Sequence, residues 1–214
     1  DHVVAAEGSV QHRLSLTDVP LTAGGLLSFQ IENTLAAVGA CWALDLPWPS
    51  IVEGICSFHN DSANAPGRFN LMQYRDATIV ADYGHNPHAM RALVAAFDAL
   101  PATETTQRTV VISGAGDRRD EDLRELTRVL GDAFDNIILF EDACQRGRAD
   151  GEVIALLRQG LQGARRASFV EELRGEFIAI DRGLSLLKPG DQCLVLVDQV
   201  QEALNHLNQR VTQG

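Results

Sequence analysis

The sequence predicts an α/β protein built on a doubly wound, mostly parallel sheet. From residue 78 onward, short apolar and β-branched runs alternate with longer stretches in which apolar residues recur at helical spacing. Such alternation is typical of a parallel sheet that helices cover on both faces. The predicted strands are 78–81, 109–113, 136–140, 168–170 and 193–197, and the helices that follow them are 87–100, 121–134, 151–161, 172–187 and one from Val200 onward.

A different pattern precedes this alternation. Residues 3–19 predict short strands with turns, and apolar residues at helical spacing then predict helices over 29–44 and 50–58. The polar segment His59–Gly67 (HNDSANAPG) has the composition of a linker. We therefore place a domain boundary at its end. The predicted domains are residues 1–67 and 68–214.

The composition limits the class of protein. With 214 residues, 45% of them hydrophobic, the chain can bury a sizeable core. Its formal net charge of −11 argues against a general nucleic-acid binder, because phosphate contacts need clustered Lys and Arg. No apolar run reaches the length of a membrane span, and no segment resembles a signal peptide. These features predict a soluble protein that binds neither nucleic acid nor membrane.

The cysteines and the first residue give two further expectations. Cys41, Cys56, Cys144 and Cys193 are scattered without a C-x-x-C pair, in a chain too long to need disulfides for stability. We expect reduced, mostly buried thiols and a cytoplasmic location. Because the sequence begins at Asp1 without a methionine, we also expect it to be a piece of a longer protein.

Residues 82–88 (DYGHNPH) form the first candidate ligand site. A predicted strand ends here and a helix begins, with Asn86 as its N-cap and Pro87 at its first position. A helix N-terminus offers unpaired N–H groups to an anion, and Asp82 lies at the carboxyl end of the strand, where open α/β sheets bind ligands. His85 lies in the positive field of the helix end and is predicted to be neutral.

Two further loops follow predicted strands and should lie at the same edge of the sheet. They are residues 113–122 (SGAGDRRDED) and 141–148 (EDACQRGR), and both mix carboxylates with arginines. Arginine binds oxyanions through two hydrogen bonds, and carboxylates accept from ammonium or guanidinium groups. The three loops together therefore favour a zwitterionic or phosphate-bearing ligand.

Each of these residues also has a purely structural interpretation, which the sequence leaves open. Asp82 could accept only loop N–H groups, and Asn86 could serve only as a cap. The acidic cluster at the start of the predicted helix could simply favour the helix dipole, and the loop arginines could be solvated surface charges. That cluster comprises Asp117, Asp120, Glu121 and Asp122.

Of three common metal- or cofactor-binding motifs, two are incomplete and one is absent from the sequence. His85 and His88 form H-x-x-H, but no nearby Cys or third His completes a metal site, so we predict no bound metal there. Gly114 and Gly116 begin a dinucleotide fingerprint whose third glycine is replaced by Arg119, which argues against NAD binding. No G-x-x-x-x-G-K-[ST] occurs, so we expect no unaided ATP hydrolysis by this polypeptide.

Several of these segments, in this order, resemble a known family. Residues 29–37 (FQIENTLAA), 66–69 (PGRF) and 82–87 (DYGHNP) resemble the end of the central domain and the C-terminal domain of Mur-type amide ligases. The resemblance implies that residues 1–67 are the end of a central ATPase domain and that 68–214 are a Rossmann-like C-terminal domain. Residues 113–122 and 146–148 look most like the branch that adds arginine to the β-carboxylate of aspartate in a polymer.

The resemblance also implies roles for individual residues. Asn33 and Arg68 would lie near the adenine of ATP, and Asp82 would hold its ribose, with His85 and Asn86 in the same nucleotide-binding loop. Other residues would face the incoming amino acid, where the carboxylates have the sign that a guanidinium needs. The residues assigned to this second group are Asp117, Arg118, Arg119, Asp120, Asp122, Arg146 and Arg148.

The implied reaction uses ATP to convert a carboxylate to an acyl phosphate, which an amine then attacks. Positioning and oxyanion stabilisation would dominate such a step, and the C-terminal domain would act as a closing lid. The resemblance implies a P-loop domain and an ATP-grasp domain upstream in the same polypeptide, with the ligands of Mg²⁺ outside this chain. The resemblance assigns no catalytic residue to this chain. Whether the protein forms a homo-oligomer stays open.

Two other functions compete with this one. The chain could be a non-catalytic nucleotide- or amino-acid-binding domain derived from a Mur ligase, since it has no P-loop. It could also belong to another Mur-type peptide ligase, acting on a cell-wall precursor. Ala143, Cys144 and Gln145 fall where the resemblance predicts a more acidic loop, so the identity of the amine stays open as well.

Overall fold

The computed structural model describes residues 1–141 and 146–213, which divide into two compact units. One unit comprises Asp1–Asn60 with Asp98–Leu100, and the other comprises Asp61–Phe97 and Pro101–Gly214. Residues 142–145, and with them Cys144 and half of the third predicted loop, lie outside the described residues. The assignment of 1–67 and 68–214 to the domains of a ligase stays a prediction.

The first unit combines a hairpin with two helices. Strands β1 (His2–Glu7) and β2 (Val10–Ser15) pair in antiparallel register, with His2 opposite Ser15. Helices α1 (Ser28–Ala43) and α2 (Trp48–Ser57) confirm the two predicted helices to within two residues. The unit has its own apolar core, formed by Val3, Leu14, Leu16, Val19, Val38 and Ile51.

Within the described residues, the second unit contains one six-stranded sheet of order β3-β4-β8-β5-β6-β7. All neighbouring pairs are parallel except β3 with β4. This confirms the predicted mostly parallel α/β sheet. The strands are β3 Asn70–Tyr74, β4 Ala77–Asp82, β5 Arg108–Ile112, β6 Asn136–Glu141, β7 Phe169–Arg174 and β8 Gln192–Leu196, and the helices are α3 Pro87–Ala99, α4 Asp120–Gly131, α5 Glu152–Gly160, α6 Glu176–Ser185 and α7 Val200–Gln213.

Alternate residues of the central strands supply apolar side chains to opposite faces of the sheet. On one face, Val111 and Val195 belong to a buried cluster with residues of α6 and α7, such as Ile180 and Leu204. The neighbouring residue Val110 is buried as well. Strands buried on both faces read as continuous apolar runs, which is why the sequence reveals them.

The structure corrects the sequence prediction at two places. The hairpin strand β3 was not predicted; it reaches β4 through Arg75 and Asp76, which have φ angles of 49° and 61°. Tight hairpin turns with two positive φ angles usually contain Asn or Gly, and neither is present here. The prediction of helix from residue 172 was also wrong, because β7 continues to Arg174. The helix begins only after Gly175, whose φ of 97° suits glycine.

The cysteines of the described residues are free thiols. Cys41 and Cys56 are partly exposed, and Cys193 is buried in β8. Burial raises the pKa of Cys193 to about 12. A buried thiol with a raised pKa is a poor nucleophile, so Cys193 acts as a small apolar core residue.

The strand order determines where a ligand site can form. Helix α3 leads from β4 to β5, but β8 lies between these two strands. The chain then continues in the same direction to β7 and reverses only when α6 returns it from β7 to β8. Loops therefore diverge at the carboxyl ends of β8 and its neighbours β4 and β5. This is the place where doubly wound sheets bind ligands.

Candidate functional site

Asp82, the last residue of β4, connects the two segments that carry the PGRF and DYGHNP motifs. Its carboxylate accepts hydrogen bonds from the backbone N–H of Phe69, at 2.8 Å, and of Gly84. The backbone N–H of Tyr83 donates to the carbonyl of Gly67 at 2.8 Å. Burial raises the pKa of Asp82, although the two N–H donors and the charge of Arg68 act in the opposite direction. Asp82 therefore has a structural role at the floor of this loop.

Gly67 shows why the first of these motifs contains glycine. Its φ is +66°, and a Cβ added to it would lie 2.9 Å from Cγ1 of Val200. The turn continues through Phe69, which has a φ of 54° and is buried. Arg68, between them, is exposed, with its guanidinium carbon 5.9 Å from the centre of the Tyr83 ring.

The start of α3 confirms the predicted cap. Asn86 Oδ1 accepts from the backbone N–H of Ala89 at 2.9 Å. His85 Nδ1 lies 2.6 Å from the carbonyl oxygen of Tyr83, so the proton of this hydrogen bond is on Nδ1. Burial lowers the pKa of His85 below its ordinary value, although the carboxylate of Asp198 acts to raise it. The imidazole is therefore neutral at pH 7, as predicted, but mainly because it is buried.

Asp198 lies where the loops after β4, β6 and β8 meet. It follows β8, and its Oδ1 lies 3.2 Å from Nη2 of Arg146 and 3.8 Å from Nε2 of His85. Arg146 also lies 3.6 Å from a carboxylate oxygen of Asp117 and hydrogen-bonds with Tyr83. Neither Asp198 nor Tyr83 was predicted from the sequence as a ligand contact.

Buried Glu176, at the start of α6, fixes the position of Asp198. Its two carboxylate oxygens accept from the backbone N–H groups of Asp198 and Gln199 at 2.7 and 3.0 Å. Glu176 is only 2% exposed, so these hydrogen bonds are shielded from water. The loop that presents Asp198 is therefore held from below by a carboxylate.

Arg148 connects loops instead of facing outward. Its guanidinium donates to the carbonyls of Gly116 and Arg118 at 2.7 and 2.6 Å, and it pairs with Asp120 at 2.9 Å and Glu152 at 2.6 Å. These contacts hold the loop after β5 against the start of α5. With its N–H groups engaged in this way, Arg148 positions the loop that carries Asp117 and Arg118.

The other predicted residues divide between exposed positions and the first unit. Arg119 and Asp122 form a two-fold hydrogen-bonded pair at 2.9 Å on the exposed start of α4. Asp117 and Arg118 are exposed in the loop after β5, on the side of Arg146. Asn33 belongs to the first unit, where its amide donates to Gln30 Oε1 at 2.9 Å on α1.

An acidic cavity of about 480 Å³ adjoins this cluster at the carboxyl ends of β6 and β7. Glu141, Asp150 and Gln199 line it, together with Phe177 of α6. Arg174 contributes the guanidinium of the cavity wall, 2.5 Å from Asp150 and 3.6 Å from Glu141. The carboxylates of this cavity thus already bind one guanidinium.

Neither a metal cluster nor a membrane-spanning helix occurs within residues 1–141 and 146–213. No group of three or more His, Cys, Asp or Glu side chains in these ranges could hold a metal ion. None of the helices in these ranges combines the length and apolar composition that a membrane span requires.

The buried imidazole predicts a pH dependence of stability. The folded-state pKa of His85 lies below the ordinary value of 6.5. The neutral imidazole therefore contributes fully to the stability of the fold above pH 6.5. This contribution is lost as the pH falls through the folded-state pKa, by about 1.4 kcal/mol for each unit of difference. In urea unfolding between about pH 7.5 and pH 5, His85→Gln should lose less stability than the parent protein. His88→Gln, at an exposed position of α3, is the matched control and should follow the parent; equal pH profiles for all three proteins would contradict the assignment.

Comparison with known proteins identifies the family. Residues 67–197 match the family described as "Mur ligase, glutamate ligase domain". This range contains the sheet and nearly all of the loops described above. The chain therefore belongs to the Mur ligase family.

Members of two branches of that family are similar to the chain. The cyanophycin synthetase of Crocosphaera subtropica is 32% identical over 210 residues, which cover 98% of this chain and 24% of that protein. The 2,6-diaminopimelate-adding ligase of Alkaliphilus metalliredigens is 24% identical and matches 78% of this chain and 32% of its own length. The chain thus spans about a quarter of the length of the cyanophycin synthetase.

Solved structures confirm the fold. FolC of E. coli, in complex with DHPP and ADP, superimposes with a TM-score of 0.63 at 22% identity. The match covers 85% of this chain and 39% of FolC. The chain therefore has the fold of one part of this larger protein.

Proposed function

We propose that this chain is part of an ATP-dependent carbon–nitrogen ligase of the cyanophycin synthetase type. It would help to join arginine, or a related amine or dipeptide, to an aspartate carboxylate through an acyl phosphate. The observation that carries this proposal is the cluster around Asp198, where Arg146, Tyr83 and His85 converge beside an acidic cavity. Similarity to cyanophycin synthetases over 98% of the chain supports the choice of branch.

The charges of the site suit an amino acid with a cationic side chain. Arg146 would pair with the substrate α-carboxylate through two hydrogen bonds, while Asp198 would orient its amine. Glu141 and Asp150 would accept from the guanidinium. In the structure Asp150 accepts from Arg174 at 2.5 Å, and Glu141 forms an ion pair with it at 3.6 Å. An amine held in this way attacks the acyl phosphate without any covalent protein intermediate, so positioning supplies most of the rate enhancement.

The nucleotide would lie against the exposed surface of Arg68 and the loop that Asp82 supports. Arg68 is exposed beside the Tyr83 ring, and Asn86 and the first N–H groups of α3 would add hydrogen bonds to phosphate or ribose oxygens. The FolC structure that this fold resembles contains ADP. Mg²⁺ would neutralise phosphate charge during the reaction, and the family resemblance implies that its ligands lie in other parts of the polypeptide.

Removing the charge at residue 68 tests the nucleotide side of the proposal. Arg68→Ala should weaken ATP binding by about 1–3 kcal/mol, because one charged hydrogen bond is lost. Arg75→Ala is a matched control, since Arg75 also lies over a tyrosine ring, 4.9 Å from the centre of Tyr74. Calorimetric titration of the natural polypeptide with a non-hydrolysable ATP analogue measures both. Equal affinities in the two variants would reject the assignment of Arg68.

The reaction itself is tested by its substrate dependence. The natural polypeptide that contains this chain should release ADP when an aspartate polymer is supplied with arginine, and much less when citrulline replaces arginine. Dependence on a uridine-linked peptide acceptor would instead indicate the cell-wall ligase. Saturable binding of nucleotide or amino acid without any turnover would indicate the non-catalytic binding domain.

A further inference from the structure

A second, smaller cavity lies in the first unit and belongs to none of the loops described above. It has a volume of about 190 Å³, several times the roughly 30 Å³ that a water molecule occupies in the liquid. Four elements form it: the ends of β1 and α1, the middle of β2 and the start of α2. The six residues that line it are Glu7, His12, Trp42, Asp45, Leu46 and Trp48.

Three aromatic rings form one wall of this cavity. His12 stacks on Trp48 with ring centres 4.9 Å apart and an angle of 20° between the planes. Trp42 meets both rings edge-on, at 5.2 Å from His12 and 5.8 Å from Trp48. The rings pack against each other, which restricts their movement, and an aromatic face that is not used in this packing carries partial negative charge.

The carboxylates beside this wall favour a cation. Glu7 and Asp45 are carboxylates, and no lining residue is Lys or Arg. The cavity also lies at the C-terminal end of α1, whose last turn contains no basic residue. The negative end of the helix dipole is therefore not neutralised by a side chain of its own helix.

The backbone holds Asp45 in an unusual conformation. Its φ is 58°, and its N–H donates to the carbonyl of Trp42 at 3.0 Å, while Leu46 N–H donates to Cys41 at 3.2 Å. This turn ends α1 at a position where glycine or asparagine is usual.

We propose that this cavity binds a guanidinium group, such as the side chain of an arginyl residue. A guanidinium stacks flat on an aromatic ring and donates hydrogen bonds to carboxylates with its edge. It could therefore contact the aromatic rings and the carboxylates of the cavity at the same time. The site is independent of the proposed ligase activity, since it uses no residue of the loops around Asp198.

Intrinsic fluorescence offers a direct test, because Trp42 and Trp48 are the only two tryptophans in the sequence. The 214-residue chain is titrated with N-acetyl-arginine methylamide, and with N-acetyl-citrulline methylamide as the uncharged probe of the same shape. We expect a saturable change in tryptophan emission with the arginine probe and at least about tenfold weaker binding of the citrulline probe.

Conservative variants show whether the carboxylates carry the effect. Asp45→Asn keeps a side chain suited to the left-handed position and Glu7→Gln keeps the shape, so both should fold, and each should weaken binding of the arginine probe several-fold. Glu53→Gln, an exposed residue of α2 outside the cavity, should bind like the parent. Equal responses to the two probes, no saturable response, or unchanged affinity in both cavity variants would overturn the proposal. Binding of the arginine probe is measured without turnover, so a failure of the proposed ligase activity would not change its outcome.

Discussion

Replacing Gly160 by alanine should destabilise the second unit by about 3 kcal/mol, although alanine is the better helix former. Gly160 ends α5, where a Cβ would lie 2.1 Å from the carbonyl oxygen of Arg124 and 2.2 Å from Oγ1 of Thr127. Both atoms belong to α4, and Thr127 Oγ1 already donates to the carbonyl of Leu157 at 2.6 Å. The added methyl group would clash with the Arg124 carbonyl and with the Thr127 hydroxyl, which its hydrogen bond holds in place. Helices α4 and α5 must therefore move apart.

Urea unfolding of the purified variant measures this effect. Gly54→Ala is the matched control, since Gly54 is also helical but an added Cβ would have no atom within 4 Å. It should be neutral or stabilising by up to about 1 kcal/mol, as helix propensity predicts. A Gly160→Ala protein as stable as the parent would show that α4 and α5 are not packed as described.

Arg148→Ala should lower kcat/KM of the natural polypeptide by at least about a hundredfold, because the loop after β5 would lose its position. The guanidinium bridges the carbonyls of Gly116 and Arg118 and the carboxylates of Asp120 and Glu152. A lysine has one donor centre and cannot reach all of these acceptors, so Arg148→Lys should recover only a small part of the activity. Steady-state kinetics with varied amino acid and fixed ATP measures the loss.

A control separates this effect from the general loss of a surface arginine. Arg165 pairs with Asp132 and is 81% exposed in its side chain, so Arg165→Ala should leave kcat/KM within about twofold. If Arg148 were a direct substrate contact, as the family resemblance implied, its substitution would raise KM for the amino acid alone. A positioning role predicts that kcat falls as well.

Much of the second unit could be predicted because its central strands are buried on both faces. Runs such as 110–112 and 193–196 are continuously apolar, and polar or glycine-containing segments separate them from helical patterns. Asn86 could be identified as a cap because capping depends on local sequence alone, and the structure confirms it.

Strand β3 and the end of β7 were predicted wrongly because their structure depends on contacts between residues that are distant in sequence. Strand β3 is half exposed and turns through Arg75 and Asp76, which carry no strong turn signal. Residues 172–174 match helical spacing as well as strand alternation, so short segments of this kind are ambiguous. Only pairing with β6, where Leu173 lies opposite Phe140, resolves them.

The candidate site was predicted in outline but not in its centre. The three loops were identified because each follows a predicted strand, whereas Asp198 follows the last strand without any motif around it. Its importance comes from the insertion of β8 between β4 and β5, a strand order that sequence alone does not give. The position of Asp198, directly after the predicted strand 193–197, could nevertheless have identified it. Asp82 was identified in this way, because ligands bind at the carboxyl ends of strands in open α/β sheets.

The measurement that tests the proposed ligase function most directly is the KM for arginine in ADP release by the natural polypeptide, compared between the parent and Asp198→Asn. This substitution keeps the size of the side chain but removes the charge that pairs with Arg146 and that we propose to orient the incoming amine. We expect the KM for arginine to rise at least about tenfold while the KM for ATP stays within about twofold. ADP release that does not depend on arginine, or an unchanged KM for arginine in the variant, would contradict the proposed function.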